Sequence, residues 1–232
     1  MRIARIIYAG FLLLFPALAP PVQAQTPPQK SVSAAYTGLL AAAFAGDLTA
    51  LQKEISSGAD LNVRDRQGRT ALMLAGYGEH HAAAEALIKA GADLNALENR
   101  AYDLLTISSV QNDVKMVKLA IAAGANTKQV TSPYDGTALI AAAHLGHVEV
   151  VKALIAGGAP LDHVNNLNWT ALIEAIVLGD GGENHTECVR ALVAAGADVN
   201  LPDGNGVRPL GLAMRRGYTA ISEILTAAGA KP

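Results

Sequence analysis

Six times along the chain a Gly-Ala pair closes an apolar stretch, at Gly58, Gly91, Gly124, Gly158, Gly196 and Gly229, with steps of 33, 33, 34, 38 and 33 residues. A period of this length means a stack of similar units. Each unit is too small to bury its own apolar face, so cohesion comes from the next unit in line and the fold is an elongated array. Function on such an array belongs to a surface that many units share, rather than to a deep cleft.

The first 24 residues do not follow this period. Arg2 and Arg5 precede an apolar run from Ile6 to Phe15, then Pro16, Pro20 and Pro21, and then Val22-Gln23-Ala24. The run is shorter than the ~20 apolar residues that span a bilayer, and small residues at Val22 and Ala24 fit cleavage after Ala24. Residues 1–24 therefore read as a secretory signal peptide, with an uncleaved anchor or a first helix of the fold as the alternative. No cysteine lies at the junction to carry a lipid. Residues 25–33, rich in Pro, Gln, Thr and Ser, read as a flexible linker. Residues 34–230 form the periodic domain.

Loss of Arg2 and Arg5 leaves 16 basic residues against 20 acids, a formal charge of −4. Mild acidity without dense Lys/Arg gives no electrostatic basis for holding phosphates, which argues against DNA or RNA as partner. The one cysteine, Cys188, has no second thiol to pair with inside the chain. It falls where the period requires an apolar helix residue, so a buried small hydrophobe is expected, and a reactive or intermolecular thiol is the alternative.

The unit is clearest from Thr137 to Ala159. Thr137 is placed to cap a helix whose face is made of Ala138, Leu139, Ala142 and Ala143, and Gly146 ends that helix. Val148, Val151, Leu154 and Ile155 recur at helical spacing in a second helix, which Gly158 closes in the left-handed conformation open cheaply to glycine. The same register puts Thr37, Thr70, Asp103, Thr170 and Arg208 at the capping position and Gly46, Glu79, Asn112, Gly179 and Gly217 at the turn between helices. Six helical hairpins result. Extra residues fall at Gly179–His185 and among Thr131, Ser132, Pro133 and Tyr134, in turns, where an insertion does not rotate an apolar face out of register.

Several stretches resemble the ankyrin-repeat family. Thr70-Ala71-Leu72, Thr137-Ala138-Leu139 and Thr170-Ala171-Leu172 match its helix start, and Arg208-Pro209-Leu210 keeps its proline. Gly146-His147-Val148-Glu149-Val150-Val151 and Gly196-Ala197-Asp198-Val199-Asn200 match its later signatures. The resemblance implies an all-α solenoid of about six helix-turn-helix repeats with projecting hairpin loops. One departure stands out: the histidine that follows the family's Thr-Pro-Leu is replaced by Leu40, Met73, Thr106, Ile140, Ile173 and Gly211, which removes a clip from the helix starts. The stretches Asp135–His144 and Trp169–Ile176 are similar to the periplasmic ankyrin proteins of proteobacteria, which implies a periplasmic location.

The resemblance also implies protein binding through a concave side made of the loops and the flank of the first helices. Its first loop carries Arg64, Arg66, Gln67 and Arg69, with Tyr77 on the helix flank. Asn99, Arg100 and Tyr102 follow in the next, then Tyr134 with His144, then Leu167 and Trp169. Arg, Tyr and Trp dominate binding hot spots, which suits these residues to a protein interface. They also fit ordinary solvated loop charge, with aromatics bracing neighbouring loops.

Catalytic constellations are absent from the sequence: no nucleophile elbow, no phosphate-cradling glycine loop with a lysine, no helical His-Glu-x-x-His. The spacing of His144 and His147 could share a metal, but two ligands make no site, and His147 and the pair His80-His81 sit in turns where a structural role is expected. The Asp180–His185 stretch lacks the alternating oxygen ligands of a calcium loop. The expectation is a monomeric, non-enzymatic binding module without cofactor or metal, free of the membrane after cleavage and holding another exported protein. The alternatives are an accessory to a catalase in peroxide defence, which the resemblance to periplasmic relatives suggests, and a metal-dependent stress protein.

Overall fold

The computed structural model describes residues 27–232, so the segment expected as a signal peptide, its expected cleavage point and the first two residues of the expected linker lie outside the described part. The segment expected as linker contains a four-residue helix, α1 (Lys30–Ser33), and Pro28 is buried. Six helical hairpins follow: α2 (Gly38–Ala45) with α3 (Leu48–Ser56), α4 (Ala71–Tyr77) with α5 (His81–Ala90), and α6 (Leu104–Val110) with α7 (Val114–Ala122). Then come α8 (Ala138–His144) with α9 (Val148–Ala156), α10 (Ala171–Val177) with α11 (Glu183–Ala194), and α12 (Pro209–Arg215) with α13 (Thr219–Ala227). The even-numbered helices pack side by side in one row and the odd-numbered ones, from α3 to α13, in a second row behind it. Strand-like pairing among the described residues is limited to two isolated antiparallel bridges within the loops that connect hairpins, Arg64 with Thr70 and Thr131 with Gly136.

The two rows obey different sequence rules. Every residue of α4 is buried, because a first helix has neighbours before it, after it and behind it, and its small residues let those backbones approach. A second helix faces solvent along its back. Thus α9 buries Val150, Val151 and Leu154 and exposes Glu149 and Lys152. Leu51, Leu87, Met116, Leu154, Leu192 and Leu225 fill the space between successive hairpins in one continuous core. Truncating one of the fully buried leucines to alanine would cost roughly 2–5 kcal/mol.

Helix starts are capped where the register placed them. Thr70, Asp103, Thr137 and Thr170 each accept a hydrogen bond from the backbone amide three residues on. Thr37 holds the position without a side-chain cap, and Arg208 relies on Pro209 in the first turn. The closing glycines all have positive φ. So do the mid-unit turns at Gly46, Glu79, Asn112, Gly146 and Gly217, but in the unit with the insertion the left-handed residue is Gly181 rather than Gly179, displaced by the added chain. Of the residues that replace the family histidine, Met73, Ile140 and Ile173 are buried apolar fill, Leu40 and Gly211 are half-buried, and buried Thr106 shares a hydrogen bond with Thr131 Oγ1 at 3.0 Å.

Neighbouring hairpins are clipped instead through the mid-unit turns. His80 Nε2 lies 3.1 Å from Phe44 O, Gln111 Nε2 donates to Tyr77 O at 3.0 Å, and His147 Nδ1 lies 2.8 Å from Ser109 O. His185 Nε2 lies 3.0 Å from His144 O, and Tyr218 donates to Gly179 O at 2.9 Å. A second ladder runs along the base: the amides of Asp93, Asn126, Asp198 and Lys231 donate to the side-chain oxygens of Asn62, Asn95, Asp162 and Asn200 one unit earlier. It is interrupted between the units closed by Gly124 and Gly158, where Lys128 has no acceptor to offer and Pro160 has no amide. There Thr127 Oγ1 donates to Gly157 O at 3.0 Å. Among the described residues no helix is long and apolar enough to cross a membrane.

Candidate interaction surface

Five fingers project between the first helices, and each is built on one residue near its start. Asp65 Oδ1 accepts from the amides of Gln67 and Arg69, and Glu98 Oε1 from those of Arg100 and Tyr102. Asn165 Oδ1 accepts from the amides of Leu167 and Trp169, and Asp203 Oδ1 from those of Asn205 and Val207. A short polar acceptor here turns the chain back on itself. The finger at Thr131 is one residue longer, and its turn is held by Ser132 Oγ accepting from the Tyr134 amide at 3.2 Å.

The fingers touch in series. Asn99 N donates to Gln67 O, Asn99 Nδ2 to Arg66 O, Ser132 N to Ala101 O and Asn166 N to Tyr134 O. Their outer residues therefore form one face.

This face holds some of the expected residues and buries others. Arg64, Arg66, Asn99 and Arg100 are exposed, and Leu167 is 39 % exposed. Gln67, Tyr134, His144 and Trp169 are half-buried. Arg69, Tyr77 and Tyr102 are buried. Arg69 is a structural residue: its guanidinium pairs with Asp65 at 2.7 Å, with both side chains almost fully covered, and also donates to Tyr36 and Gln67. Tyr36 donates to Asp65 Oδ2 at 2.6 Å. Burial pushes the Asp65 carboxyl up, but the donors from Tyr36 and Arg69 outweigh it and hold the group below the usual carboxylate range. Tyr77 and Tyr102 pack with Met73, Ala96 and Ile107 in a small second core beneath the second finger, and burial pushes both hydroxyls up to about 12.

Two features escape a reading by residue type. Leu97, Val130 and Val164 are 36, 45 and 47 % exposed, unusual for aliphatic side chains. Each lies six residues beyond a closing glycine, the offset that Arg64 occupies in the first finger, so the period itself could have located them. The other feature is Glu174, an acid inside the apolar run Ala171–Val177 and buried. Its Oε1 accepts from Asn165 Nδ2 at 2.8 Å. Oε2 has no hydrogen-bond partner, and His144 Nδ1 lies 3.4 Å away. Burial pushes the Glu174 carboxyl up to about 7, and burial together with the charge of His185 pushes His144 down.

His147 is committed to Ser109 O and His144 faces Glu174, so this pair does not converge on one point. His185, which the sequence expectation puts in the inserted turn, lies in the first turn of α11, since that helix starts at Glu183, and it pairs with Asp180 at 2.9 Å. Among the described residues no group of three or more His, Cys, Asp or Glu is arranged to hold a metal ion. Cys188 is buried, and its thiol is pushed up to about 12 by burial, which keeps it protonated and unreactive near neutrality.

Comparison with known proteins matches this architecture. Models of ankyrin repeats in three copies match residues 38–129 and 104–203, and a model of many copies matches 182–226. A putative ankyrin repeat protein of Escherichia coli K12, YahD, is 37 % identical over 192 residues, which cover 82 % of this chain and 95 % of that protein. The crystal structure of an ankyrin repeat domain from Acinetobacter baumannii AYE is 44 % identical with a TM-score of 0.80, covering 83 % of this chain and 98 % of that one. The ankyrin repeat protein EF0377 is 30 % identical with a TM-score of 0.76, covering 82 % and 98 %. The chain belongs to the ankyrin-repeat family, whose fold is typically a non-enzymatic scaffold for protein interaction.

Proposed function

We propose that this protein is exported to the periplasm and there holds another exported protein on its finger face. The observation that carries the binding part is the joining of exposed arginines, Arg64, Arg66 and Arg100, to exposed aliphatic residues, Leu97, Val130, Val164 and Leu167, on one continuous face. Desolvated apolar groups beside arginine are the composition of interface centres. Export is supported by the apolar, proline-ended leader and by its small residues at Val22 and Ala24. Peroxide defence is a setting suggested by resemblance to periplasmic relatives, and no side chain adds to it.

Two measurements test the reading. Mass spectrometry of material from the native compartment should give a first residue of Gln25; an intact Met1–Ala24 segment sinks the export half. Cross-linking there should capture a protein through the wild-type face, and replacing Val130 and Val164 by serine should remove it. Capture that ignores those changes refutes the assigned surface.

A further inference from the structure

The finger face is divided by charge. The first two fingers expose Arg64, Arg66 and Arg100, while their own carboxylates, Asp65 and Glu98, are enclosed and committed to backbone amides, and in the case of Asp65 also to Arg69 and Tyr36. Among the described residues the guanidinium groups of Arg66 and Arg100 make no hydrogen bond or ion pair. On the second helices three cations are paired, Lys89 with Glu85, Lys152 with Glu149 and Arg190 with Glu187, while Lys53, Lys115 and Lys118 stand singly on α3 and α7 instead of converging on one face with the finger arginines. A chain acidic in sum thus carries an unneutralised cationic end on this face. The next two fingers are nearly uncharged. They expose Val130, Val164 and Leu167, with Asp135 as their exposed acid.

Arg64 adds a directional detail. Its Nη1 donates to Gly68 O at 2.9 Å and to Leu97 O at 2.6 Å, which fixes the guanidinium between the first and second fingers. Both hydrogens of Nη1 are thereby spent. The edge formed by Nε and Nη2, which makes no hydrogen bond or ion pair among the described residues, is left for a ligand, and this edge matches a carboxylate in a bidentate pair.

We propose that the face is built for an acidic protein segment: carboxylates against Arg64, Arg66 and Arg100, continuing into aliphatic or aromatic side chains that cover Val130, Val164 and Leu167. This rests on the finger face being the binding surface. Like-charge contact would turn away basic segments, and opposite charge would speed encounter in a salt-dependent way.

The test uses the purified protein and a displayed library of random dodecapeptides. Enriched peptides should combine Asp and Glu with large apolar residues. Their affinity should fall about tenfold when salt is raised about tenfold, as expected of exposed charge pairs. Reversing Arg66 and Arg100 to glutamate, a pair whose guanidinium groups have no intramolecular partner to lose, should weaken those peptides by about tenfold or more and move the enriched pool toward Lys and Arg. The triple variant that also carries Arg64→Glu should weaken them further.

Peptides that lose binding with Val130→Ser and Val164→Ser but show no acidic excess overturn the proposal and leave the binding surface standing. Peptides indifferent to both sets of changes overturn both. A wild-type pool no different from that of the charge-reversed variant also overturns the proposal.

Discussion

The finger that starts at Asp65 and the one that starts at Thr131 occupy equivalent places in the array but are held by different physics. In the first, one carboxylate receives two backbone amides, a guanidinium and a phenol, all enclosed, so that a single ionised group organises the whole turn. In the other, a buried hydroxyl shares one bond with Thr106 across to the neighbouring helix, and the turn itself is one residue longer and closed by Ser132. The charged finger is rigid and costly to damage. The neutral one is cheaper to alter and exposes an aliphatic residue, Val130. Asn165 falls between them, with its oxygen on two amides and its nitrogen on Glu174.

The largest effect should come from Asp65→Ala. It leaves the Arg69 guanidinium enclosed without its counter-charge and should lower stability by about 3–5 kcal/mol in urea unfolding. A loss no greater than that of a Thr131 variant would erase the distinction between the two fingers. Asn165→Ala should cost about 2–3 kcal/mol, because the amides of Leu167 and Trp169 lose their acceptor and Glu174 its donor.

Glu174 sharpens the comparison through pH. Its carboxyl ionises near 4.5 in an unfolded chain and near about 7 in the folded one. Between those values the native state keeps a proton that the unfolded chain releases, so stability falls as pH rises through this window. Glu174→Gln should flatten that slope and leave the variant about 3 kcal/mol ahead of wild type at pH 8, relative to their difference at pH 4. Parallel stability curves for the two proteins would refute the burial argument. The smallest effect is expected of Thr131→Val, about 1 kcal/mol, from the hydroxyl of Thr106 left without a partner.

Much of the fold is legible in the chain because it repeats. The closing glycines, the capping threonines and the three- and four-residue spacing of Val148, Val151, Leu154 and Ile155 each dictate a local conformation. The candidate surface is less legible, for a physical reason visible at Arg69. Its burial is decided by Tyr36, 33 residues earlier in the previous unit, and no local pattern around Arg69 reports that contact. Tyr77 on a helix flank and Tyr102 in a loop likewise look like exposed aromatics, yet they cover the apolar residues that stand near the place of the family histidine. Leu97, Val130 and Val164 are hard to single out for the opposite reason: aliphatic residues are expected inside, and only their common offset from the closing glycines marks them as a set. Glu174 could have been suspected as an acid within an apolar run, but its orphan oxygen depends on how His144 approaches from the neighbouring helix.

Pro160 removes one rung from the base of the stack, midway along six units. Along that edge the first three hairpins and the last three are joined by the Thr127 hydroxyl and by packing, without the side-chain-to-amide rung that the other described joints of this ladder share. The arginines of the first two fingers lie on one side of this joint and Val164 and Leu167 on the other. The place where both Lys128 and Pro160 withhold a partner thus falls between the cationic and the aliphatic stretches of the finger row, which there stay joined through Ser132 to Ala101 and Asn166 to Tyr134.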